Sequence, residues 1–476
     1  MADIASTDFA SPYIQLFSDY VSKNKMDTIF KMGVIVHTKD KDLGTDDQIY
    51  VHGLTITRDY ENNVGDHIEV KISVPPGTFI EDIYPHMQNC EITIRTRKQY
   101  TNSGKPWVSS TKYKAIFLKD KNAAIPNAKH FSKHDLNQMQ PFIITFQLID
   151  RSVEAMRIKT TSGSFSVKGV DTVNEALATI LSSESSKVMV ENKPAIDFIQ
   201  VYDADNPGKL TSLTMPSFSR VVEIPDYMQE KSVGVYTSGL GHYIQKCMLK
   251  PGKIDTGMWV FPLYGPDKKK ADIMEIYCPT QEGSVTSLPG AIYQDGRYIV
   301  LAYKPTFQEN DKETKVMSTG TGFRAADASK MMAKPVTVSP KGPIFERNKL
   351  NTEIVFKERE DGINFAVNKG NYFNTFAMAS EITKDKANFL TIQVPNLDHD
   401  VIRPGMNVYI SMMGVKPVDG GKEARVRRAY NANVLQAIFS YSNNNPNPLV
   451  SSVATFTDMT CHSTLKLVVE EKDEPK

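Results

Sequence analysis

Two stretches rich in glycine and aspartate contain residue types that bind phosphate or calcium. The run "STGTGF" at 318–323 has the glycines of a phosphate-binding loop, but no Lys-Ser or Lys-Thr follows them and no apolar strand precedes them. The run "DADNPG" begins like a calcium loop at Asp203, yet its fifth position is Pro207 and its twelfth is Thr214, where a bidentate carboxylate is required. We interpret the first stretch as a flexible loop and the second as a turn.

Two histidine-containing stretches offer further metal-binding residue types. His130 and His134 are one helical turn apart in "HFSKH", and Asp398, His399 and Asp400 are consecutive in "LDHD". A zinc site needs three or four ligands, and neither stretch has a third-ligand motif or a catalytic glutamate between its histidines. Both are interpreted as polar surface turns, and the sequence predicts no metal and no cofactor.

The sequence contains no recognisable motif of nucleophilic catalysis. There is no Gly-x-Ser-x-Gly elbow, and no cysteine lies in a nucleophile motif. A carboxylate pair that only folding brings together escapes such a search. With that exception, we expect the protein not to be an enzyme.

The four cysteines, Cys90, Cys247, Cys278 and Cys461, are far apart in the sequence and form no CxxC pair. The N-terminus "MADIASTDFASPY" lacks the basic and apolar regions of a signal peptide. We therefore expect a reducing compartment and buried free thiols.

The composition is that of a globular protein with several domains. The chain has 476 residues, of which 40% are apolar and 23% charged, so it can bury a core but is too long for a single one. No apolar run approaches the ~20 residues needed to cross a bilayer. Lys and Arg total 56 against 55 Asp and Glu, so no overall field attracts nucleic acid or an anionic membrane.

The first 150 residues have the pattern of β-structure. A short helix is predicted at "SPYIQLFSDYVSKN", because Ser11 can cap it and Pro12 suits its first turn. Six segments rich in β-branched and aromatic residues follow, separated by turn residues. In "HIEVKISV" the apolar residues alternate with polar ones, which predicts a strand with one buried face. This region, 1–150, is expected to form a small barrel or sandwich.

The rest of the chain divides into three parts. Residues 151–305 mix strands with a helix predicted to begin after Thr172, because Glu175 completes a capping box. Residues 306–353 contain few large apolar residues and are predicted to be an extended linker or a segment ordered by a partner. Residues 354–476 return to β-texture.

The two β-rich ends contain the same ordered pattern: a strand, a Val-Pro stop, Pro-x-Met, a second strand, a long hairpin loop and a return strand. The strand around Ile92 and Ile94 matches that around Val408 and Ile410. A divergent duplication of one β-domain would produce this order, and the alternative is two unrelated sandwiches. The matched positions are Ile72, Val74, Pro75, Pro85, Met87, Tyr113 and Ala115 in the first copy, and Ile392, Val394, Pro395, Pro404, Met406, Tyr430 and Ala432 in the second.

Each copy carries basic residues in its hairpin, and both hairpins could project the same way in the folded molecule. We interpret these residues in one of two ways. Their side chains are either simply solvated, or they contact an acidic partner or a polyanion that passes through a pore. The residues are Arg95, Arg97 and Lys98 in the first copy, and Lys422, Arg425, Arg427 and Arg428 in the second.

The line "VHGLTITRDYENNVGDHIEVKISVPPGTFIEDIYPHMQNCEITIRTR", followed by "YKAIFL" and repeated near the C-terminus, resembles the baseplate hub proteins of tailed bacteriophages. The resemblance implies a mainly β fold with an α+β middle, in which two related tail-tube-like β-barrel or sandwich domains are separated by a mixed central region. It covers the two ends of the chain and not its centre.

What the resemblance implies about function is structural. It implies a homotrimer in the tail baseplate of the virion, assembled in the host cytoplasm, whose six barrels form a ring between the tail tube protein and the central spike. A tape-measure protein and baseplate wedge proteins are further implied partners, and DNA passes the lumen only transiently. The alternative is a tail-associated carbohydrate-binding or lytic protein with a site near Trp259, Tyr264 and Tyr277.

Overall fold

The computed structural model describes most of the chain outside its N-terminus and several loops. The described residues are 15–16, 19, 30–98, 107–118, 132–138, 140–167, 170–250, 253–265, 274–279, 290–294, 297–308, 323–326, 353–356, 380, 383–384, 387–418, 422–443 and 456–471. Most of the predicted N-terminal helix, His130 and "STGTGF" up to residue 322 lie outside them. The same holds for the predicted segment 306–353, apart from 306–308, 323–326 and 353.

All six strands predicted in the first 150 residues are present, so the prediction of a mainly β fold is confirmed. Strand β4 shows why: its alternate residues Ile68, Val70 and Ile72 are buried, whereas Lys71 is exposed. The strands are β1 (Phe30–His37), β2 (Asp42–Leu43), β3 (Tyr50–Asp59), β4 (His67–Val74), β5 (Glu91–Lys98), β6 (Trp107–Leu118) and β7 (Phe142–Ile149). Helical segments are Thr45–Asp47, Pro76–Thr78, Phe79–Ile83, Tyr84–Asn89 and α1 (Lys133–Asn137).

The central residues form a mixed unit. The helix predicted after Thr172 is confirmed, and the Thr172 side chain accepts a hydrogen bond from the Glu175 backbone N–H. The helices are α2 (Arg151–Ile158), α3 (Val173–Ser185) and α4 (Ile224–Lys231), with a 3-10 turn at Val221–Glu223. The strands are β8 (Thr160–Ser166), β9 (Met189–Val190), β10 (Lys193–Pro194), β11 (Phe198–Val201), β12 (Ser212–Arg220), β13 (Leu240–Lys250) and β14 (Lys253–Pro262).

The remaining strands belong to the C-terminal part of the chain. They are β15 (Met274–Cys278), β16 (Ala291–Gln294), β17 (Arg297–Leu301), β18 (Tyr303–Gln308), β19 (Phe323–Ala326), β20 (Glu353–Phe356), β21 (Asn388–Pro395), β22 (Asn407–Val418), β23 (Lys422–Asn443) and β24 (Thr457–Glu471). A 3-10 turn lies at His399–Val401.

The first barrel is a closed ring of strands in the order β23-β3-β4-β7-β6-β5-β1-β24, with β24 pairing back onto β23. Six of these strands come from the N-terminal region. The other two are the ends of β23 and β24, which lie more than 370 residues further along the chain than β3. The N-terminal region therefore does not close its barrel alone.

The second barrel uses the other ends of the same two strands. Its ring runs β15-β22-β23-β24-β21-β18, and β17, which continues into β18 across Ala302, pairs with β15 to close it. Strand β15 thus pairs with β22 and strand β18 with β21, although β15 lies in the predicted central range 151–305 and β18 begins in it. The ranges predicted for the domains stay predictions.

The central unit packs on the barrels through the three-stranded sheet β11-β14-β13. One face of this sheet contributes Tyr243, Trp259 and Phe261 to the core shared by the two barrels. The other face contributes Met258 and Val260 to a second core with the helices. Alternating residues on one sheet therefore join two hydrophobic cores.

None of the helices in the described ranges combines the length and apolar character needed to cross a bilayer. All four cysteines are free and buried, as the sequence predicted, and burial raises the pKa of Cys90 and Cys247 to about 11 and that of Cys278 to about 12.

Candidate functional site

The two sequence repeats correspond to a tandem arrangement of strands in one sheet. Across it the strands are ordered β6-β7-β4-β3 and then β23-β24-β21-β18, and every neighbouring pair is antiparallel. In the sequence alignment β4 matches β21 and β6 matches β23. The second group therefore repeats the strand order of the first, and we call the eight strands together the tandem sheet.

The register of the tandem sheet repeats as well. In the first copy Ala115 lies opposite Leu148, which lies opposite Ile68. In the second copy the matched Ala432 lies opposite Val469, which lies opposite Asn388. Because Ile68 and Asn388 each precede the matched isoleucine by four residues, three strands keep the register that the sequence alignment requires.

The pairing of strands β5 and β22 differs slightly from the sequence alignment. Ile92 pairs with Tyr113 in the first copy, and Ile410 pairs with Tyr430 in the second. The structure thus makes Ile410 the counterpart of Ile92, where the sequence alignment chose Val408. A shift of two residues keeps the same face of the strand buried, which is why the sequence pattern does not reveal it.

The matched strand residues are mostly buried, whereas the matched loop residues differ. Ile72, Val74, Ala115, Ile392, Val394, Ala432 and Tyr430 are buried, and Tyr113 is half-buried. Pro75 and Pro404 are buried, Pro395 is half-buried and Pro85 is exposed. Met406 is buried, but the matched Met87 is only half-buried.

One face of the tandem sheet is partly exposed across both barrels and mostly polar. A row of directly paired residues runs across seven strands, and its members are partly or fully exposed. An antiparallel sheet can leave one face in water while the other packs on a core. The row is Ile116, Gln147, Glu69, Thr55, Ser440, His462 and Pro395.

The basic residues predicted to contact a partner lie on the β5–β6 hairpin and the β22–β23 hairpin. Four antiparallel pairings separate β6 from β23 in the tandem sheet, so the two strands run in the same direction. Both strands therefore begin at the same end of the sheet, and both hairpins lie at that end. Arg95 is half-buried, with its guanidinium carbon 5.2 Å from the centroid of the Phe456 ring, and Arg97 is exposed. Arg427 donates from Nε to Ser411 Oγ at 2.7 Å. The half-buried Arg428 lies on β23, as do Lys422 and Arg425, while Lys98 lies on β5.

A buried arginine joins the two barrels where the tandem sheet changes copy. Arg58, at the end of β3, is 1% exposed. Its Nε donates to Asp66 Oδ1 at 3.2 Å, and one terminal nitrogen donates to the Ile402 carbonyl at 3.0 Å and to the His399 carbonyl. The guanidinium therefore connects the first barrel with the turn between β21 and β22. We call this set of contacts the Arg58 joint.

The central unit contributes to the same joint. Tyr243 of β13 donates its hydroxyl to Asp66 Oδ1 at 3.0 Å, and Gln245 of the same strand donates to the Ile402 carbonyl at 3.0 Å. Tyr60 donates to the Gln245 side-chain oxygen at 3.2 Å. The Arg58 joint thus satisfies buried polar groups from all three parts of the molecule.

The Arg58 joint is stabilised by the pairing of the Arg58 guanidinium with the Asp66 carboxylate. Burial alone would lower the pKa of the Arg58 guanidinium, but the facing Asp66 carboxylate raises it above its ordinary value, so the guanidinium stays charged. Burial raises the pKa of Asp66, while Arg58 and the Tyr243 hydroxyl oppose that rise. A cavity of about 30 Å³ beside Arg58 has room for about one water molecule.

Asp398, His399 and Asp400 lie at this joint, and interpreting them as an exposed surface turn is wrong for Asp398, which is 3% exposed. Asp398 caps the 3-10 turn by accepting from the Asp400 backbone N–H at 3.1 Å, and His399 Nδ1 is 2.8 Å from the Tyr441 hydroxyl. Their possible ligand atoms lie within 4.8 Å of one another. The carbonyls of His399 and Ile402 at this turn accept hydrogen bonds from Arg58, so the turn belongs to the joint.

The aromatic residues of the alternative carbohydrate-binding site are core residues. Trp259 is 2% exposed, Tyr277 3% and Tyr264 8%. Their ring faces are therefore covered and offer no platform on which a sugar could stack.

Sequence reasoning missed the Arg58 joint, although a signal was present. In "LTITRDY" the alternating positions are Leu54, Ile56 and Arg58, so the strand pattern turns the arginine toward the buried face. A buried arginine needs a paired carboxylate and several acceptors. The pattern alone predicts the need for partners, but it does not identify Asp66 or the distant carbonyls.

No protein-family profile matches this chain, and no curated protein does. Its structure is similar to the 43 kDa tail protein of prophage MuSo2 from Shewanella oneidensis, with 9% identity, a TM-score of 0.40 and coverage of 92% of this chain and 97% of that one. It is also similar to a chain of the lidded Francisella PdpA-VgrG complex, with 8% identity and a TM-score of 0.35, covering 99% of this chain and 58% of that one. Both TM-scores are below 0.5, so no inference about the role of this chain rests on these similarities.

Proposed function

We propose that this protein is a structural component of a phage-type tail, a baseplate hub that forms a trimeric ring of six barrels. The observation that carries the proposal is the tandem sheet, in which two equivalent sets of strands follow one another with the same order, register and direction. The chain then joins the tail tube to a central spike.

The direction of the strands favours a ring. A two-fold axis perpendicular to the strands would reverse the second copy, but β4 and β21 run in the same direction across the tandem sheet. The two copies are therefore arranged head to tail, and a contact of this kind repeats around an axis until the rotation closes. With two copies per chain, three chains fill six positions about 60° apart.

The exposed polar face of the tandem sheet supports a lumen-facing role. The row from Gln147 to His462 carries hydroxyl, amide, imidazole and carboxylate groups, with no strong excess of one charge. Such a surface lets DNA pass without holding it, because strong binding to DNA requires clustered positive charge. The basic hairpins at one edge would contact the tape-measure protein, the tube or the baseplate wedge proteins.

A role without catalysis agrees with the chemistry of the joint. The cavity at Arg58 has a volume of about 30 Å³, whereas ligand pockets typically have roughly 300–1,000 Å³. The charged groups around it bind one another across the three parts of the molecule. We propose that the protein is not an enzyme and acts in the virion baseplate after assembly in the host cytoplasm.

The proposal is tested by the mass and symmetry of the purified full chain. Mass photometry should give a species of three times the 53.3 kDa chain mass. An electron cryomicroscopy reconstruction without imposed symmetry should then show six barrels around one axis, with residues 65–119 and 386–436 superposing after a rotation of about 60°.

A folded monomer at micromolar concentration would contradict the trimer. A trimer in which the two repeats lie at different distances from the axis would contradict the ring. Each outcome is visible without any partner protein.

A further inference from the structure

We propose that a patch on the central unit docks on an anionic lipid surface, with the ring of Phe218 inserted into the membrane interface. This inference goes beyond the proposed structural role and does not depend on the trimeric ring. The patch, which we call the Phe218 patch, consists of two exposed apolar residues, Phe218 and Ile158, and three exposed basic residues, Arg157, Lys159 and Arg220.

The apolar side chains of the Phe218 patch are the most exposed of their kind in the described part of the chain. Phe218 is 85% exposed and Ile158 is 70% exposed. Apolar side chains that are scattered singly over a surface need no explanation. The position of these two relative to each other therefore decides whether they form one surface.

The pairing of β8 with β12 brings the Phe218 patch together. Arg220 on β12 lies opposite Thr160 on β8. One step further, the Val221 backbone N–H donates to the Lys159 carbonyl at 3.0 Å. The segment that carries Phe218 and Arg220 therefore runs antiparallel beside the segment that carries the other three residues of the patch.

The backbone at Phe218 is strained. Its φ is 67°, in the left-handed region that glycine adopts readily and a bulky residue rarely occupies. Phe218 lies in the stretch of β12 where the register with β8 shifts, and the Ser219 hydroxyl donates to the Pro216 carbonyl at 2.9 Å across this turn. Glycine would form the turn without strain, so the turn itself gives no reason for a phenylalanine, and the exposed ring indicates a contact.

The charges of the Phe218 patch are mostly positive. Arg157 and Lys159 are exposed and form no ion pair with any described residue. The Arg220 side chain is 60% exposed, and its Nε is 3.9 Å from a Glu223 carboxylate oxygen, which is long for an ion pair. Because the whole chain has a net charge of only +1, attraction to an anionic surface must come from such a local cluster.

The shape of the Phe218 patch favours a lipid surface over a protein partner. Phe218 lies on a turn and Ile158 is the last residue of α2, so each apolar side chain protrudes from its own element. The exposed face of the β8–β12 pair beside them carries hydroxyl groups, and Thr214 donates to Ser164 at 3.2 Å. Basic residues around protruding apolar side chains are typical of surfaces that bind the bilayer interface, which requires no complementary shape.

Flotation of the full chain with lipid vesicles tests the proposal. Vesicles of phosphatidylglycerol and phosphatidylcholine offer an anionic surface, and vesicles of phosphatidylcholine alone offer a neutral one. We expect binding to the anionic vesicles and much weaker binding to the neutral ones, since each basic side chain near an anionic surface strengthens binding roughly fivefold. Phe218→Gly should weaken binding to the anionic vesicles roughly tenfold, because the buried phenylalanine ring is lost.

The variants separate binding from folding. Glycine relieves the positive φ, so Phe218→Gly should melt no lower than wild type. The matched control is Ile143→Ser, which removes a 58% exposed isoleucine from β7 of the first barrel and should bind vesicles as wild type does. Exchange of both Arg157 and Lys159 for glutamate should reduce the preference for anionic vesicles roughly fivefold or more.

Fluorescence reports the insertion of the side chain at position 218. Phe218→Trp adds a tryptophan to a chain that has two, of which Trp259 is buried. Relative to wild type, the added emission should shift to shorter wavelength with the anionic vesicles. Lipids brominated along their acyl chains should quench it.

Three results would overturn the proposal. If wild type does not float with the anionic vesicles, the occupant of the Phe218 patch is a protein instead. If Phe218→Gly binds as well as wild type, other basic residues, such as those of the hairpins, hold the vesicle. If the emission of bound Phe218→Trp does not shift, the chain adsorbs by charge alone and the ring is not inserted.

Discussion

The two repeats keep their strands and differ in the connection that follows the first strand. In the first copy the connection from Pro76 to Asn89 consists of helical turns, and the Thr78 backbone N–H donates to Asn137 of α1, within the same N-terminal region. In the second copy the connection is shorter, and its His399–Val401 turn accepts hydrogen bonds from Arg58 of the other barrel.

This difference shows where a duplicated barrel can acquire new contacts. The strands must keep their inward residues and register, since a slip by one residue would turn every side chain to the wrong face. A connection has no such constraint and can be rebuilt to meet a neighbour. The second connection became part of the joint between the barrels, whereas the first stayed on its own barrel.

The largest effect is expected from a charge placed in either barrel. Ile72→Asp and Ile392→Asp each bury an unpaired carboxylate at a fully buried position and should cost about 4 kcal/mol or more. Urea unfolding followed by circular dichroism measures the loss, and both variants should fail to assemble.

The controls lie on the same strands. Lys71→Asp and Gln393→Asp place the same carboxylate at exposed positions of β4 and β21 and should stay near wild-type stability. If Ile392→Asp were tolerated while Ile72→Asp was not, the second strand would not share the buried role of the first.

The next largest effect concerns the joint, which the two repeats do not share. Arg58→Met leaves the Asp66 carboxylate without its cation and removes a donor from the His399 and Ile402 carbonyls, so we expect a loss of about 3–5 kcal/mol. Chemical denaturation with a probe in each barrel, such as the reactivity of Cys90 and Cys278, reports whether the barrels then unfold separately.

A double-mutant cycle isolates the ion pair. Asp66→Leu in the Arg58→Met background removes the stranded carboxylate and should restore part of the stability. Strictly additive losses would show that the two side chains do not interact, and the description of the joint would then be wrong.

The matched methionines test the comparison at a single pair of positions. Met406→Ala removes a side chain that is 2% exposed and should cost roughly 2–4 kcal/mol. Met87→Ala affects a half-buried side chain on a surface turn and should cost less than about 1 kcal/mol. Thermal unfolding distinguishes them, and equal losses would mean that the two connections carry equal packing.

The local sequence pattern predicted several strands and a helix, and for the strands it also predicted which face is buried. The alternation of Ile68, Val70 and Ile72 gave strand β4 and its buried side, and Thr172 with Glu175 gave helix α3. The repeated Tyr-x-Ala pattern placed β6 and β23 in matching registers. These features follow from side-chain direction over a few residues, which a sequence displays directly.

Long-range pairing could not be predicted in this way. Nothing in the sequence of β23 indicates that its second half pairs with β3, since an antiparallel edge accepts any strand with a compatible face. The burial of Asp398 was missed for the same reason, because the carbonyls of the adjacent His399 and of Ile402 bind Arg58, which is more than 300 positions away in the sequence. The Arg58 joint was visible only as an arginine on an apolar face.

The smallest expected effect concerns an ion pair that connects the β3–β4 turn with the chain just before β21. Lys384 Nζ is 2.9 Å from a Glu61 carboxylate oxygen, and the Tyr264 hydroxyl donates to the same carboxylate at 2.8 Å. Burial alone would raise the pKa of Glu61, but the hydrogen bonds from Lys384 and Tyr264 outweigh it and hold the pKa below its ordinary value of 4.5.

A lowered pKa in the folded state contributes stability that is complete above about pH 4.5 and is lost as the pH falls through the folded value. Because the Lys384 side chain is 46% exposed, solvent screening limits the contribution to less than about 1 kcal/mol. The free energy of unfolding of Glu61→Gln should therefore lie slightly below wild type at neutral pH and converge with it as the pH falls below the folded pKa of Glu61. If the difference in free energy of unfolding between Glu61→Gln and wild type stays constant as the pH falls, the charge of the Glu61 carboxylate contributes nothing to stability. Lys384 would then not be held by this ion pair.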